Sequence, residues 1–190
     1  MEVTLRTRIP SFQFSGEVIF LRNESLLKDM SRILLEFNDT REKYDSEVTR
    51  LSEALASLMS PNSDGDRIKN GEKAIDCIYD TDEHLFNFER IMTDLISLEM
   101  IKNRVQVMTS NFISMIRSQR ELLSELQRNI KNYLKVSDNS DLSEIAKKDL
   151  KESSDKFMKK VLETRRESEN LTSLLKDRYE KVRLGKSNYI

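Results

Sequence analysis

The stretch from residue 68 to residue 135 constrains the fold more than any other part of the chain, because it contains no proline and only one glycine, Gly71. Apolar residues recur along it in steps of three and four, which places them on one side of a helix. They are Leu98, Ile101, Val105, Met108, Phe112, Met115, Leu122, Leu126 and Tyr133. The pattern predicts one helix of roughly 100 Å, which needs neighbouring helices to cover its apolar stripe.

Two further helices are predicted on either side of this stretch. An earlier stripe runs through Met30, Leu34, Phe37, Arg41, Tyr44, Val48, Leu51, Leu55 and Leu58, and a later one through Leu150, Phe157, Val161, Leu171, Leu175 and Val182. Turn-forming residues separate the helices at 60–66 and 137–141. We therefore expect an all-α fold with three long antiparallel helices, at about 24–59, 67–135 and 141–184, in an elongated coiled-coil bundle that dimerises.

The first 23 residues are predicted to lie outside this bundle. Pro10 and Gly16 interrupt an apolar cluster there, and Asn23 or Ser25 is placed to cap the first helix. We expect residues 1–23 to form a non-helical arm or a short strand.

The apolar stripes supply the candidate residues of the seam, either within the bundle or between two chains. They are Phe37, Tyr44, Leu85, Phe88, Met92, Leu95, Leu98, Val105 and Phe112. Gln119 places a polar residue within the stripe of the long helix, a feature similar to the central layer of a SNARE helix.

The side chains that most catalytic and metal sites require are scarce. The chain has one histidine, one cysteine and no glycine-rich loop. The cluster of Asp80, Asp82, Glu83 and His84 is predicted to be a solvated acidic surface, because these residues point to different sides of a helix. We expect no enzymatic activity, no catalytic residue, no metal or other cofactor and no small-molecule substrate.

The composition also predicts where the protein is found. A single cysteine, Cys77, excludes an intrachain disulfide, and no apolar run approaches the roughly 20 residues that span a bilayer. We expect a cytoplasmic protein without a signal peptide.

Charge is distributed unevenly along the chain. Residues 1–100 contain 12 Lys and Arg against 20 Asp and Glu, whereas residues 101–190 contain 20 against 13. Five lysines flank the turn near residue 138 and three follow, namely Lys131, Lys135, Lys147, Lys148 and Lys151, then Lys156, Lys159 and Lys160. They are candidates for binding an anionic membrane, although basic residues also solvate long helices or contact the acidic half of a second copy. Nucleic acid is not an expected partner, because the chain as a whole is acidic and the pattern shows no aromatic platform for stacked bases.

The layout resembles a BAR domain of the sorting nexin type. The segment TDEHLFNFERIMTDLISLEMIKNRV, Thr81 to Val105, is similar to the middle of the second helix of those domains, and LLKDRYEKVRLGK, Leu174 to Lys186, is similar to their third helix. The resemblance implies a BAR-like domain over residues 24–186 that forms a homodimer, or a heterodimer with a related BAR protein. It also implies peripheral binding to curved endosomal membranes through phosphoinositides and other anionic lipids, in protein transport. The eight lysines would contact the membrane.

One difference from the sorting nexins keeps other interpretations open. Sorting nexins carry a phosphoinositide-binding PX domain before these helices, and 23 residues are too few for one, so we expect an isoform, a truncated chain or a BAR protein of another type. The alternative hypothesis is a coiled-coil scaffold or tethering-complex subunit that binds other proteins through its helical seams.

Overall fold

The computed structural model describes residues 13–61, 63–98, 103–136 and 141–184, with side chains for 24–61, 63–98, 104–136 and 141–184. These residues form four α-helices and no strand. The helices are α1 (Gln13–Met59), α2 (Asp64–Ser97), α3 (Asn103–Lys135) and α4 (Asp141–Arg183). The all-α prediction is confirmed, but the number of helices differs from the three that were expected.

The four helices form an antiparallel bundle. In the described part of the chain, backbone contacts join α1 to α2, α2 to α3, α3 to α4 and α4 to α1, and the diagonal pairs α1/α3 and α2/α4 make none. The helices therefore occupy the corners of a square, and each consecutive pair encloses one side of a shared core. At the helical rise, the 34 residues of α2 span about 50 Å.

The difference in helix number arises in the middle of the expected helix 67–135, which is two helices. α2 ends at Ser97, and the backbone of Leu98 is extended, with φ −71° and ψ 112°. No proline or glycine marks this position. The fold-back allows one chain to bury both halves of the stripe, and this burial outweighs the local preference for a continuous helix.

An aromatic cluster shows what the fold-back brings together. Phe88 of α2 lies with its ring centroid 5.2 Å from that of Phe37 on α1 and 5.7 Å from that of Phe112 on α3. The ring centroid of Tyr44, also on α1, lies 5.7 Å from that of Phe88. These tilted and edge-on contacts are the arrangements that aromatic rings favour in cores.

The predicted seam residues are buried within the single chain. Leu98 is half-buried, and the other eight, Phe37, Tyr44, Leu85, Phe88, Met92, Leu95, Val105 and Phe112, are buried. A second chain is therefore not needed to cover them.

Most of the predicted helix ends agree with the structure. The first predicted helix ends at Met59 and the last begins at Asp141, as expected, and Ser63 caps α2 by accepting a hydrogen bond of 3.1 Å from the backbone N–H of Asp66. The beginning of α1 differs, because the helix starts at Gln13 rather than near Asn23 or Ser25. The prediction of a non-helical arm is thus wrong for residues 13–23, and residues 1–12 lie outside the described residues.

Candidate functional site

The bundle interior contains one hydrogen-bonded polar layer, made by Tyr44, Gln119 and Thr164. The side-chain amide of Gln119 donates to the phenol oxygen of Tyr44, and the Thr164 hydroxyl donates to the amide oxygen of Gln119 over 3.0 Å. All three residues are buried. Because the amide oxygen and one amide N–H of Gln119 and the Thr164 hydroxyl all have partners, we interpret this layer as a device that specifies packing.

The described residues bring together few groups that could perform chemistry. They include no cluster of three or more His, Cys, Asp or Glu side chains suited to a metal ion. Burial raises the pKa of the Cys77 thiol, which disfavours the reactive thiolate. No helix among them combines the length and apolar composition needed to cross a membrane.

An open groove of about 520 Å³ lies between the beginning of α3 and the last third of α4. Its lining is Arg104, Met108, Asn170, Ser173, Leu174 and Asp177. This lining combines one cation and one carboxylate with neutral polar and apolar side chains.

Several ion pairs join the basic second half of the chain to the acidic first half. Arg120 of α3 donates two hydrogen bonds, of 2.7 and 3.1 Å, to the carboxylate of Asp82 on α2, and Arg117 donates to Glu89 over 2.7 Å. Arg165 of α4 donates to Asp45 of α1 over 2.6 Å.

The same ion pairs show which side of α2 faces α3. Ile75 and Ile68 lie seven and fourteen residues before Asp82 and therefore on the same side of α2. Tyr79 lies seven residues before Phe86, whose ring is 5.7 Å from the Arg120 guanidinium. A second apolar row thus runs along the outer edge of α2 next to α3, offset from the row that enters the core.

Three of the four residues of this second row are exposed, and two of them lie towards the end of the bundle where α2 begins. Ile68 is 49% exposed, Tyr79 is 58% exposed and Phe86 is 54% exposed, whereas Ile75 is half-buried against the core. Large apolar side chains at regular spacing on one edge of a surface helix are typical of an interaction surface.

Charged residues border the exposed row on both helices. Glu72 lies on the outer side of α2, and Arg128, Lys131 and Lys135 lie on the outer side of α3, all exposed. Asp76 lies fourteen residues before Arg90, which donates to Glu36 of α1, and so on the α1 side of α2. In the part of the chain that the structure describes, Glu72, Arg128, Lys131 and Lys135 form no ion pair or side-chain hydrogen bond, in contrast to Asp82, Glu89, Arg117 and Arg120 lower on the same face. We call the upper set the α2–α3 patch, defined as Ile68, Glu72, Ile75 and Tyr79 with Arg128, Lys131 and Lys135.

The structure distributes the eight candidate lysines around the bundle. Seven are exposed and Lys160 is half-buried. Lys131 lies fourteen residues after Arg117 and so on the α2 side of α3, whereas Lys147 and Lys151 lie eighteen and fourteen residues before Arg165 and so on the α1 side of α4. These lysines share one end of the bundle, as expected, but they lie on opposite sides of it.

The remaining lysines lie between these two sides, and several face carboxylates. Lys156 lies 3.4 Å from Glu125 across the α3–α4 groove, Lys160 lies 3.0 Å from Glu163, and Lys148 lies 3.9 Å from Glu152. The hydrogen bond from Lys160 lowers the pKa of Glu163. Lys135 and Lys159 are exposed. The α3–α4 surface is therefore a mosaic of both charges rather than a single basic field.

Sequence reasoning missed the α2–α3 patch. Its signal was present as the spacing Ile68, Ile75, Tyr79, Phe86, in steps of seven, four and seven, beside the core stripe. These residues were assigned to a single long helix, whose α3 half was not expected to fold back beside them.

Comparisons of the chain with models of protein families, with curated proteins and with solved structures found no match.

Proposed function

We propose that this chain is a non-enzymatic protein-interaction module that acts through the outer surface of its four-helix bundle. The observation that carries the proposal is the α2–α3 patch, where exposed apolar residues lie between charged residues that have no partner among the described residues. The scaffold hypothesis from the sequence assigned protein binding to the helical seams. Because the chain covers its own seam residues, we assign the binding to the outer surface instead.

The proposal is supported by the apolar area that a partner would bury at this surface and by the charges around it. Burying Ile68 and Tyr79 would remove apolar area from water, which stabilises a complex by about 25 cal/mol per Å² before the costs of association. The charged border supplies specificity, because a partner must present carboxylates to Lys131 and Arg128 or a cation to Glu72.

The test uses an immobilised chain and a cell extract, with a patch variant and a matched control. Ile68→Glu with Tyr79→Glu places two charges in the patch, and Leu35→Glu alters an exposed apolar residue on α1. We expect wild type and Leu35→Glu to retain the same proteins and the patch variant to lose them. If all three chains retain the same proteins, the patch is not the interaction surface and the proposal is overturned.

A second candidate function is BAR-like binding, sensing or shaping of curved anionic membranes, such as those of endosomes, by a dimer. It is favoured by the exposed lysines at one end of the bundle and by exposed Leu142 and Ile145 at the beginning of α4, beside Lys147 and Lys148. Apolar side chains beside lysines suit the boundary between lipid headgroups and acyl chains. The acidic residues interleaved on α4 weaken this attraction.

Co-sedimentation with anionic and neutral liposomes of two diameters tests the membrane function. Binding that needs anionic lipid, weakens with salt and is lost in Lys147→Glu/Lys148→Glu/Lys151→Glu would support it. Lys176→Glu, at the far end of α4, is the control. Absence of binding at low salt by a folded chain would exclude it.

A further inference from the structure

We propose that the α2–α3 patch binds an acidic amphipathic helix of another protein, which lies along the bundle beside α3. The inference rests on the proposed function and adds the chemistry of the partner. It is carried by two neighbouring rows of side chains, an apolar row on α2 and a cationic row on α3.

The apolar row follows the helical repeat. Ile68, Ile75 and Tyr79 are separated by seven and four residues, so they lie along one edge of α2 over about 17 Å. Ile68 and Tyr79 are exposed, and Ile75 is half-buried between them. Apolar residues at the same spacing on a second helix match such a row, which is how amphipathic helices dock in grooves.

The cationic row has a helical spacing as well. Arg128, Lys131 and Lys135 are separated by three and four residues and form one row about 10 Å long on the outer side of α3. All three are exposed, and none forms an ion pair with another described residue. Carboxylates spaced by three and four residues on a helix alongside would meet them.

Two contacts show that the rows lie at the same level of the bundle. Gly71 of α2 lies against Leu134 of α3, and Asp82 is bonded to Arg120. Residues 68–79 of α2 therefore lie beside the part of α3 from residue 124 to its end. A helix that covers the apolar row consequently brings its neighbouring edge over the cationic row.

Positive charge is in excess at this level of the two helices. The exposed charged residues of 68–79 and 124–135 are the cations Lys69, Lys73, Arg128, Lys131 and Lys135 and the carboxylates Glu72 and Asp76. Such a surface attracts carboxylates, whereas a second copy would bring cations against cations. Glu83 and Glu121 are exposed further along, so the excess is confined to the end of the bundle where α2 begins.

The position of Glu72 favours a protein helix over an anionic membrane. Glu72 lies four residues after Ile68 and seven before Tyr79, on the same side of α2. Inserting Ile68 and Tyr79 into a bilayer would press this carboxylate against anionic headgroups, which is unfavourable. A protein helix avoids this cost by placing a cation or a neutral polar residue opposite Glu72.

The size of the patch predicts a transient complex. Two adjacent helices about 20 Å wide present roughly 350 Å² over the 17 Å of the apolar row, less than half of the roughly 800 Å² that each partner buries in stable complexes. Binding should therefore depend strongly on the charges and weaken with salt.

The first test selects partners without assuming their sequence. A display library of 18-residue helical peptides, with charges of either sign at the exposed positions, is selected on wild type after depletion on Ile68→Glu/Tyr79→Glu. We expect the enriched peptides to be amphipathic, with a ratio of Asp and Glu to Lys and Arg about threefold or more above that of the starting library. Enrichment of basic or uncharged peptides, or no enrichment, would overturn the proposal.

Charge reversal provides the second test. Arg128→Glu/Lys131→Glu/Lys135→Glu should bind the selected peptides about tenfold or more weakly, measured by fluorescence anisotropy. Peptides with each Asp and Glu changed to Lys should bind this variant better than wild type. Lys147→Glu/Lys148→Glu/Lys151→Glu reverses the same number of charges on α4 and should show neither effect. Far-UV circular dichroism confirms that each variant is folded, and equal effects of the two reversals would refute a specific cationic row.

Other outcomes overturn the inference in distinguishable ways. If Ile68→Glu/Tyr79→Glu loses proteins from a cell extract but the library yields basic or uncharged helices, the proposed function stands and the acidic partner is refuted. If wild type dimerises and the reversal on α3 alters the dimer, the occupant is a second copy. If that reversal abolishes co-sedimentation with anionic liposomes and no peptide is enriched, the occupant is a membrane.

Discussion

Gln119 on α3 is hydrogen-bonded to Tyr44 on α1 across the diagonal of the bundle, although the backbones of these two helices do not touch in the described residues. Thr164 on α4 completes the layer. The Gln119 side chain thereby joins three helices. Gln119 lies seven residues after Phe112 on α3, and Tyr44 lies seven residues after Phe37 on α1. The aromatic cluster and the polar layer are thus successive levels of the same core.

Replacing Gln119 by alanine is expected to lower the free energy of unfolding by about 2–4 kcal/mol, because it leaves a cavity and deprives Tyr44 and Thr164 of their buried partner. The triple change Tyr44→Phe/Gln119→Leu/Thr164→Val removes all the polar groups together and should come within about 1 kcal/mol of wild type. Urea unfolding followed by circular dichroism measures both. A triple variant that is less stable than Gln119→Ala would contradict this account of the layer.

Stability is expected to fall at alkaline pH through Tyr44. Burial raises the pKa of its phenol well above the usual value, although the Gln119 hydrogen bond and the nearby Arg165 oppose the shift. The phenol of the unfolded chain titrates near pH 10, as in model peptides. Above about pH 10 the unfolded chain loses a proton that the folded chain keeps, so this residue lowers stability by up to about 1.4 kcal/mol per pH unit, until the folded pKa is reached.

The comparison of wild type with Tyr44→Phe isolates this contribution. The stability of wild type relative to Tyr44→Phe should fall by roughly 1 kcal/mol between about pH 10 and about pH 11, because the unfolded phenol is only half ionised at the lower pH. Tyr79 is 58% exposed, so Tyr79→Phe serves as the matched control and should follow wild type over this range. Parallel pH profiles for wild type and Tyr44→Phe would show that the phenol ionises freely in the folded chain.

The sequence predicted the end of α1 and the beginning of α4 because those limits are encoded locally. Ser63 caps α2, and the turn-forming residues from 60 to 66 stop α1. The same reasoning could not locate the end of α2 at Ser97, where neither proline nor glycine occurs. That end is determined by the burial of α2 against α3, which is a property of the whole chain.

The site could be predicted only in part for the same reason. Gln119 stands out in the sequence as a polar residue in an apolar stripe, but its partners depend on how α1, α3 and α4 align after the fold-back. The eight lysines were expected to act together because they are near in sequence. Their helices instead direct Lys131 and Lys147 to opposite sides of the bundle.

Arg67 is expected to stabilise the end of the bundle where α3 ends. Its buried guanidinium donates to the backbone carbonyl of Val136 over 2.7 Å and lies 5.6 Å from the centre of the Tyr133 ring. Arg67→Ala should cost about 1–3 kcal/mol and increase hydrogen exchange in the last turn of α3, since a carbonyl at that helix end loses its donor.

The control for Arg67 is Arg117→Ala, which removes an exposed ion pair with Glu89. Exposed pairs contribute at most about 1 kcal/mol, so this change should be milder and should leave exchange at the end of α3 unaltered. If Arg67→Ala and Arg117→Ala lower the free energy of unfolding equally, the burial of Arg67 and its hydrogen bond to Val136 add no more stability than an exposed ion pair.

Gly71 of α2 and Leu134 of α3 are expected to be energetically coupled. A Cβ atom on Gly71 would lie 2.6 Å from Cδ1 of Leu134, so alanine fits only if the leucine side chain moves. In a Leu134→Ala background, where the space is free, Gly71→Ala should stabilise the protein by about 1 kcal/mol through helix propensity. In the wild-type background the gain should be smaller or reversed, which a double-mutant cycle measured by urea unfolding detects as a coupling energy.

The same change at Gly65, which lies on the surface with only Ser63 Oγ near its added Cβ, at 3.9 Å, provides a control without coupling to Leu134. Equal effects of Gly71→Ala in both backgrounds would mean that α2 and α3 are not in close contact at this height.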